Sequence, residues 1–163
     1  MPTLETRAHS LLFIRHAKAG DRSRWQGTDD LRPLDHAGRR QANGLVTQLA
    51  EFPVARLVTS PSLRCVQTLV PLAAARRIAI EPVDALLEGV AAEFALALID
   101  RLALAGGAAL CTHGDVIEAV LAELRTRHIP LDGPSAAKKG STWILELDRG
   151  EIAGGQYMAP PED

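Results

Sequence analysis

Short apolar runs alternate along this chain with stretches whose apolar residues recur at helical spacing, and that alternation admits few folds. Residues 10–14, 57–59 and 108–112 are brief, apolar and bounded by polar residues, as buried strands are; residues 78–82 make a poorer fourth. Behind an N-cap at Asp35, Ala42, Leu45, Val46, Leu49 and Phe52 fall on one helical face, with Pro53 as the stop. Residues 63–76 predict a second helix, with Pro71 as a point of kinking. Residues 92–104 predict a third, closed by Gly106 and Gly107, and Val116, Ile117, Val120, Leu121 and Leu124 mark a fourth. Residues 141–147, a turn at Asp148-Arg149-Gly150 and residues 151–157 read as a hairpin. The sum is a three-layer α/β fold with a mostly parallel central sheet and a C-terminal antiparallel hairpin. Residues 1–158 read as one domain and residues 159–163 as a disordered tail.

Composition narrows the function classes. Hydrophobic residues make up 47% of the 163, enough for a real core, but aromatics only 4%, so that core is aliphatic. Eighteen basic against twenty acidic side chains give a net charge of -2, which argues against the broad positive field of a nucleic-acid binder. The longest uncharged stretch near a membrane-like composition, residues 102–112, is short of the ~20 residues of a membrane span. The apolar run at residues 11–14 is too brief for a signal peptide. A soluble cytoplasmic protein is the expectation. Cys65 and Cys111 cannot build a disulfide framework or a four-ligand zinc site, and read as small core residues. No His pair has the H-x-x-x-H spacing and Arg15 beside His16 would repel a cation, so no metal and no cofactor are expected.

Chemistry-bearing residues follow three of the predicted strands. Arg15-His16 ends the first, Ser60 to Arg64 follows the second and opens a helix, and Thr112-His113-Gly114-Asp115 follows the third long run and opens another. Ligands of open α/β sheets gather beyond the carboxyl ends of strands, where helix N-termini add free N–H donors. Arg15, Arg64, His16 and His113 brought together there describe an anion site, and the forked guanidinium suits phosphate. A lone histidine or arginine in such a place would be read as structural; the joint placement carries the functional reading.

At these residues the chain resembles the histidine phosphatase superfamily, also called phosphoglycerate-mutase-like. Leu11-Leu12-Phe13-Ile14-Arg15-His16-Ala17 is similar to the family's Arg-His-Gly signature, with Ala17 for glycine, a form typical of the small SixA-like phosphohistidine phosphatases. Leu34 to Ala42 resembles its Leu-Thr-x-x-Gly-x-x-Gln-Ala helix start, with Asp35 for threonine. Ser60 to Thr68 resembles its Ser-x-x-x-Arg-Ala-x-Gln-Thr segment, Leu86-Leu87-Glu88 its Leu-x-Glu, and Thr112-His113-Gly114 its second histidine. Residues 15–35 and 139–143 also look like the phosphatase domain that follows a Nudix domain in some MutT-like bacterial proteins. No Nudix box is present here, which reads as a free-standing phosphatase domain.

The resemblance implies a phosphoglycerate-mutase-like fold and a metal-independent phosphatase acting through a covalent phosphohistidine. His16 would be the nucleophile, attacking through a neutral ring nitrogen while a hydrogen bond fixes the other. Arg15, Arg64 and a cationic His113 would neutralise the phosphoryl oxygens. Glu88 would be the proton donor, its pKa raised by Leu86 and Leu87; Asp115 is the rival, and SixA-like members do without a dedicated acid. Lys18 and Arg24 are further expected substrate contacts, the latter in an Arg22-Ser23-Arg24-Trp25 loop that reads either as plain surface or as a lid. Lys138 and Lys139 read as solvated charge. The expected partner is a phosphorylated small molecule, a nucleotide or a phosphohistidine protein. A non-catalytic phosphate-binding module is the other class left open, and a phosphoglycerate mutase a lesser one.

Overall fold

Strand β1, Ser10–Arg15, is buried on both faces because every residue from Leu11 to Ile14 is apolar. Leu11 and Phe13 join the core on one face of the sheet, Leu12 and Ile14 the core on the other. That two-sided burial, worth about 1.5–3 kcal/mol for each large aliphatic side chain, is what a strand covered by helices on both faces requires. The computed structural model describes residues 2–162 and places β1 in the middle of a seven-stranded sheet. The other strands are β2 (Arg56–Thr59), β3 (Ile80–Pro82), β4 (Ala108–Thr112), β5 (Leu131–Asp132), β6 (Thr142–Asp148) and β7 (Glu151–Met158). Their order is β3-β2-β4-β1-β6-β7-β5. β1 runs parallel to β4, β4 to β2, β2 to β3 and β5 to β7, while β1–β6 and β6–β7 pair antiparallel.

Helices fill both faces. After a short α1 (Leu4–Ala8), α2 (His36–Gln48) and α3 (Leu63–Arg76) cover one side, through Leu45, Cys65, Leu69 and Leu72. On the other, α4 (Ala92–Ala105) and α5 (Gly114–Thr126) bring Leu98, Ile99, Val116, Ile117 and Val120 against Phe13 and Leu110. The three-layer α/β architecture with its C-terminal hairpin is therefore the one expected. Asp35 caps α2, its carboxylate accepting the Gly38 N–H at 2.8 Å. Among the described residues no helix is long and apolar enough to cross a membrane.

Several local expectations change. α2 stops at Gln48, well before Pro53: Phe52 is buried by a turn, its N–H bonded to Leu49 O, so the apolar spacing outlasts the helix. α3 runs through Pro71 without interruption. β3 begins at Ile80 rather than residue 78. α1, the two-residue β5 and single turns of 3-10 helix at Asp29–Leu31 and Asp84–Leu86 carry too little periodicity to be seen in sequence. Residues 159–162, expected as a tail, lie along α2: Gln48 Nε2 donates to Ala159 O at 2.9 Å and Pro161 packs on Gly44. Asp163 lies outside the described residues.

Candidate active site

The carboxyl ends of β1, β4 and β2 stand side by side, so the segments leaving them meet. His16 N–H bonds to Thr112 O, and Ser60 N–H to Cys111 O, tying the three exits together. Two further donors fix the turn after β1: Ala17 N–H donates to Thr68 Oγ1 of α3 at 2.9 Å, and Gly140 N–H reaches the carbonyls of both Arg15 and His16. Gln67, one residue before Thr68, accepts the Leu34 N–H at 2.9 Å, and α2 lies so close to the turn that a Cβ on Gly38 would meet Lys18 O at 1.9 Å. The Gln-Thr and Gly positions of the sequence motifs are thus the braces of the His16 turn.

His16 is 5% exposed, and its Nδ1 lies 2.7 Å from Ala17 O. A carbonyl only accepts, so Nδ1 carries the proton and Nε2 keeps its lone pair. Burial, followed by the positive charges of His113, Arg64 and Arg15, lowers the His16 pKa from 6.5 to about 3, although the bond to Ala17 opposes the shift. The imidazole is neutral throughout the physiological range. The His113 ring stands edge-on to it, centroids 5.5 Å apart, with Nε2 2.9 Å from Ser60 Oγ and Nδ1 3.4 Å from Arg64 Nη2. Arg15 Nη1 donates to Ala137 O, while Arg15 Nε and Arg64 Nε are buried donors without a partner among the described residues. Gly114 is what lets Arg15 lie over the start of α5, since a Cβ there would sit 2.8 Å from Arg15 Cζ.

Arg64 is fully buried in the first turn of α3, a cation at the positive end of a helix dipole. Carboxylates resolve the conflict: its Nη2 lies 3.0 Å from Asp29 Oδ2 and 3.1 Å from Glu88 Oε2, and its Nη1 bonds to Asp29 O at 2.9 Å. Glu88 also pairs with Arg22 at 2.9 Å. Burial pushes the Glu88 pKa up, but the Arg22 hydrogen bond and charge, with His113 and Arg64, win and hold it below the ordinary value. The expected raised acid is therefore an ion-paired carboxylate in the free site, because the apolar Leu86 packs into the core rather than around the carboxyl group. Asp115, its rival, accepts the Gly89 N–H at 2.8 Å and clamps the Glu88 loop to α5.

Arg15, His16, Glu88 and His113 line one cavity of about 480 Å³, shared with Arg22, Arg32, Asp115 and Lys139. Arg64 stands behind it through its bonds to Glu88 and His113. Lys18 and Arg24 are absent from the lining: Lys18 is exposed, and Arg24 is 88% exposed with only a 3.8 Å contact to Asp21. Of the loop, Arg22 alone reaches the cavity; Trp25 Nε1 bonds back to Thr28 O. Sequence reasoning missed Asp29 and Arg32, which sit in and beside a 3-10 turn without periodicity, and placed Lys139 in solvent. The side-by-side acidic and basic residues of Asp29-Asp30-Leu31-Arg32 were the one available signal.

Residues 11–94, from the His16 strand past Glu88, match the histidine phosphatase superfamily (branch 1). The chain belongs to that superfamily. It is 37% identical over 165 residues to an 8-oxo-(d)GTP phosphatase of Mycolicibacterium smegmatis, covering 94% of this chain and 49% of that protein. The chain thus spans about half the length of that curated relative. Its fold is similar to that of the protein histidine phosphatase SixA complexed with tungstate (TM-score 0.69, 21% identity, 94% of this chain and 96% of that one). It is also similar to a mycobacterial glucosyl-3-phosphoglycerate phosphatase complexed with VO3 (TM-score 0.71, 18% identity, 92% and 97% covered).

Proposed function

We propose that this chain hydrolyses a phosphoester, a nucleotide or a phosphohistidine protein through a covalent phosphohistidine on His16, with charge compensation from protein cations. The neutral, tautomer-fixed His16 carries the reading: a binding module would have no use for an imidazole held with its lone pair free and its other nitrogen bonded to Ala17 O. In the first half-reaction Nε2 attacks phosphorus and the bond to the leaving oxygen breaks. Arg15, Arg64 and His113 donate to the phosphoryl oxygens as charge moves, the work that divalent ions do in kinases. An incoming phosphoryl dianion competes with Glu88 for Arg64 and Arg22. As that pairing loosens, the carboxylate's proton affinity rises; Glu88 takes up a proton from solvent, passes it to the leaving oxygen and, again a carboxylate, accepts a proton from the water that cleaves the P–N bond.

Three substrate classes suit such a site: a simple phosphoester, a nucleotide and a phosphohistidine protein. The relative at 37% identity, named for a nucleotide, favours the second. Hydrolysis of p-nitrophenyl phosphate in excess EDTA tests the reaction. Turnover that survives chelation and is inhibited by vanadate supports it; turnover lost on chelation and restored by a divalent ion contradicts it. A screen across the three substrate classes then ranks them by kcat/KM.

A further inference from the structure

Lys139 lines the same cavity as His16, yet it makes no ion pair with any described residue. Its backbone is pinned beside the His16 turn. Gln41 Nε2 donates to Lys139 O at 3.2 Å, and the next residue, Gly140, turns at a φ of +83° to place its N–H on the carbonyls of Arg15 and His16. Burial, and then the charges of Arg15, Arg32 and Arg22, hold the ammonium below the ordinary lysine value, with Asp35 the one opposing charge. Arg32, its neighbour in the lining, is only 4% exposed; Nη1 and Nε are used by Gly20 O and Asp29, which leaves Nη2 as the free end of the fork. Arg22, Arg32 and Arg64 share the carboxylates of Asp29 and Glu88, so Lys139 stands beside these cations with no carboxylate of its own among the described residues. A cation so placed among like charges raises the energy of a folded protein, and an anionic ligand removes that cost. Arg15, His113 and Arg64 suffice for one phosphoryl group, and about 480 Å³ is the size of a small-molecule site rather than of a single phosphate.

We infer that Lys139 and Arg32 form a second anion subsite beside the phosphoryl site, so that the preferred substrate carries another phosphate or a carboxylate on its leaving group. The inference rests on the proposed phosphatase reading, and direct binding separates the two. Inorganic phosphate, methylene diphosphonate and phosphonoacetate are titrated calorimetrically into the wild-type chain, Lys139→Gln and Lys139→Arg. The wild type is expected to bind at least one of the two-headed anions about tenfold more tightly than phosphate, the size of one charge-assisted hydrogen bond. Lys139→Gln should reduce that advantage to less than about threefold, and Lys139→Arg should retain it. A gain for methylene diphosphonate alone makes the second group a phosphate, a gain for phosphonoacetate alone a carboxylate, and a gain for both an anion of either kind. Equal affinity of the wild type for all three overturns the subsite and leaves the phosphatase reading standing. An equal loss for phosphate and both two-headed anions in Lys139→Gln overturns it too, since the lysine would then grip the transferred group. No binding of any of them overturns both.

Discussion

Burial and charge both act on His16, and its lowered pKa is also a statement about stability. An unfolded chain protonates this histidine near 6.5, the folded chain only near 3. Above 6.5 both forms are neutral and nothing is lost; as pH falls from 6.5 the unfolded state gains a proton that the native state refuses, and native stability drops. Between pH 6.5 and 4 that amounts to about 3 kcal/mol at 1.36 kcal/mol per unit. His16→Gln should therefore lose less stability over this range than the wild type, read by urea denaturation at both pH values; equal losses would contradict the buried neutral state. Gly114 makes a second residue-scale test. Gly114→Ala forces the Arg15 guanidinium aside, a movable end of a side chain, so the thermal midpoint should hold within a few degrees. Activity should fall about tenfold to a hundredfold, as misplaced catalytic groups do. Arg15, His16, Arg64 and His113 were legible because each follows a strand end with a chemical reason to be there, whereas Glu88, beyond the 3-10 turn after β3, was legible only through the resemblance of Leu86-Leu87-Glu88. Asp29, Arg32 and Lys139 were not, since their placement depends on loops that only long-range bonds such as Arg64 to Asp29 O fix.

At the scale of elements, the helices were legible to within a few residues where a cap or an apolar face defines them. The Asp35 cap on α2 is an example, and so is the Val116, Ile117 and Val120 face of α5. The end of α2 misled because apolar spacing does not distinguish a last helical turn from the tight turn that buries Phe52. The start of α2 gives a graded prediction. Asp35→Ala removes one cap bond and should cost about 1 kcal/mol. Gly38→Ala drives a Cβ into the carbonyl of Lys18, and backbone at both ends of that clash cannot swing away. It should cost more, about 1–3 kcal/mol, and should also weaken activity because the strained segment is the His16 turn. Denaturation and steady-state assays of the pair check the ranking; a Gly38→Ala variant as stable and active as the wild type would show that the turn and α2 are not so tightly joined.

For the whole molecule, sheet class was readable and strand order was not. Alternating strands and helices require a mostly parallel sheet, but nothing local says that β1 lies between β4 and β6, whose partner residues are about 100 and about 130 positions away. That order is what converts separate weak signals into a site, because it sets the exits of β1, β4 and β2 next to one another with α3 and α5 starting at the same edge. The cations gathered there are balanced in the free state by Asp29 and Glu88, and the proposed mechanism exchanges those carboxylates for a phosphoryl group that His16 takes. Trapping that covalent state is the direct measurement. Rapid quenching in alkali after mixing with a ³²P-labelled phosphoester, followed by peptide mapping, should find an acid-labile, base-stable label on His16 and none in His16→Ala. Label on His113, or turnover of the wild type with no labelled histidine at any time point, would contradict the covalent route.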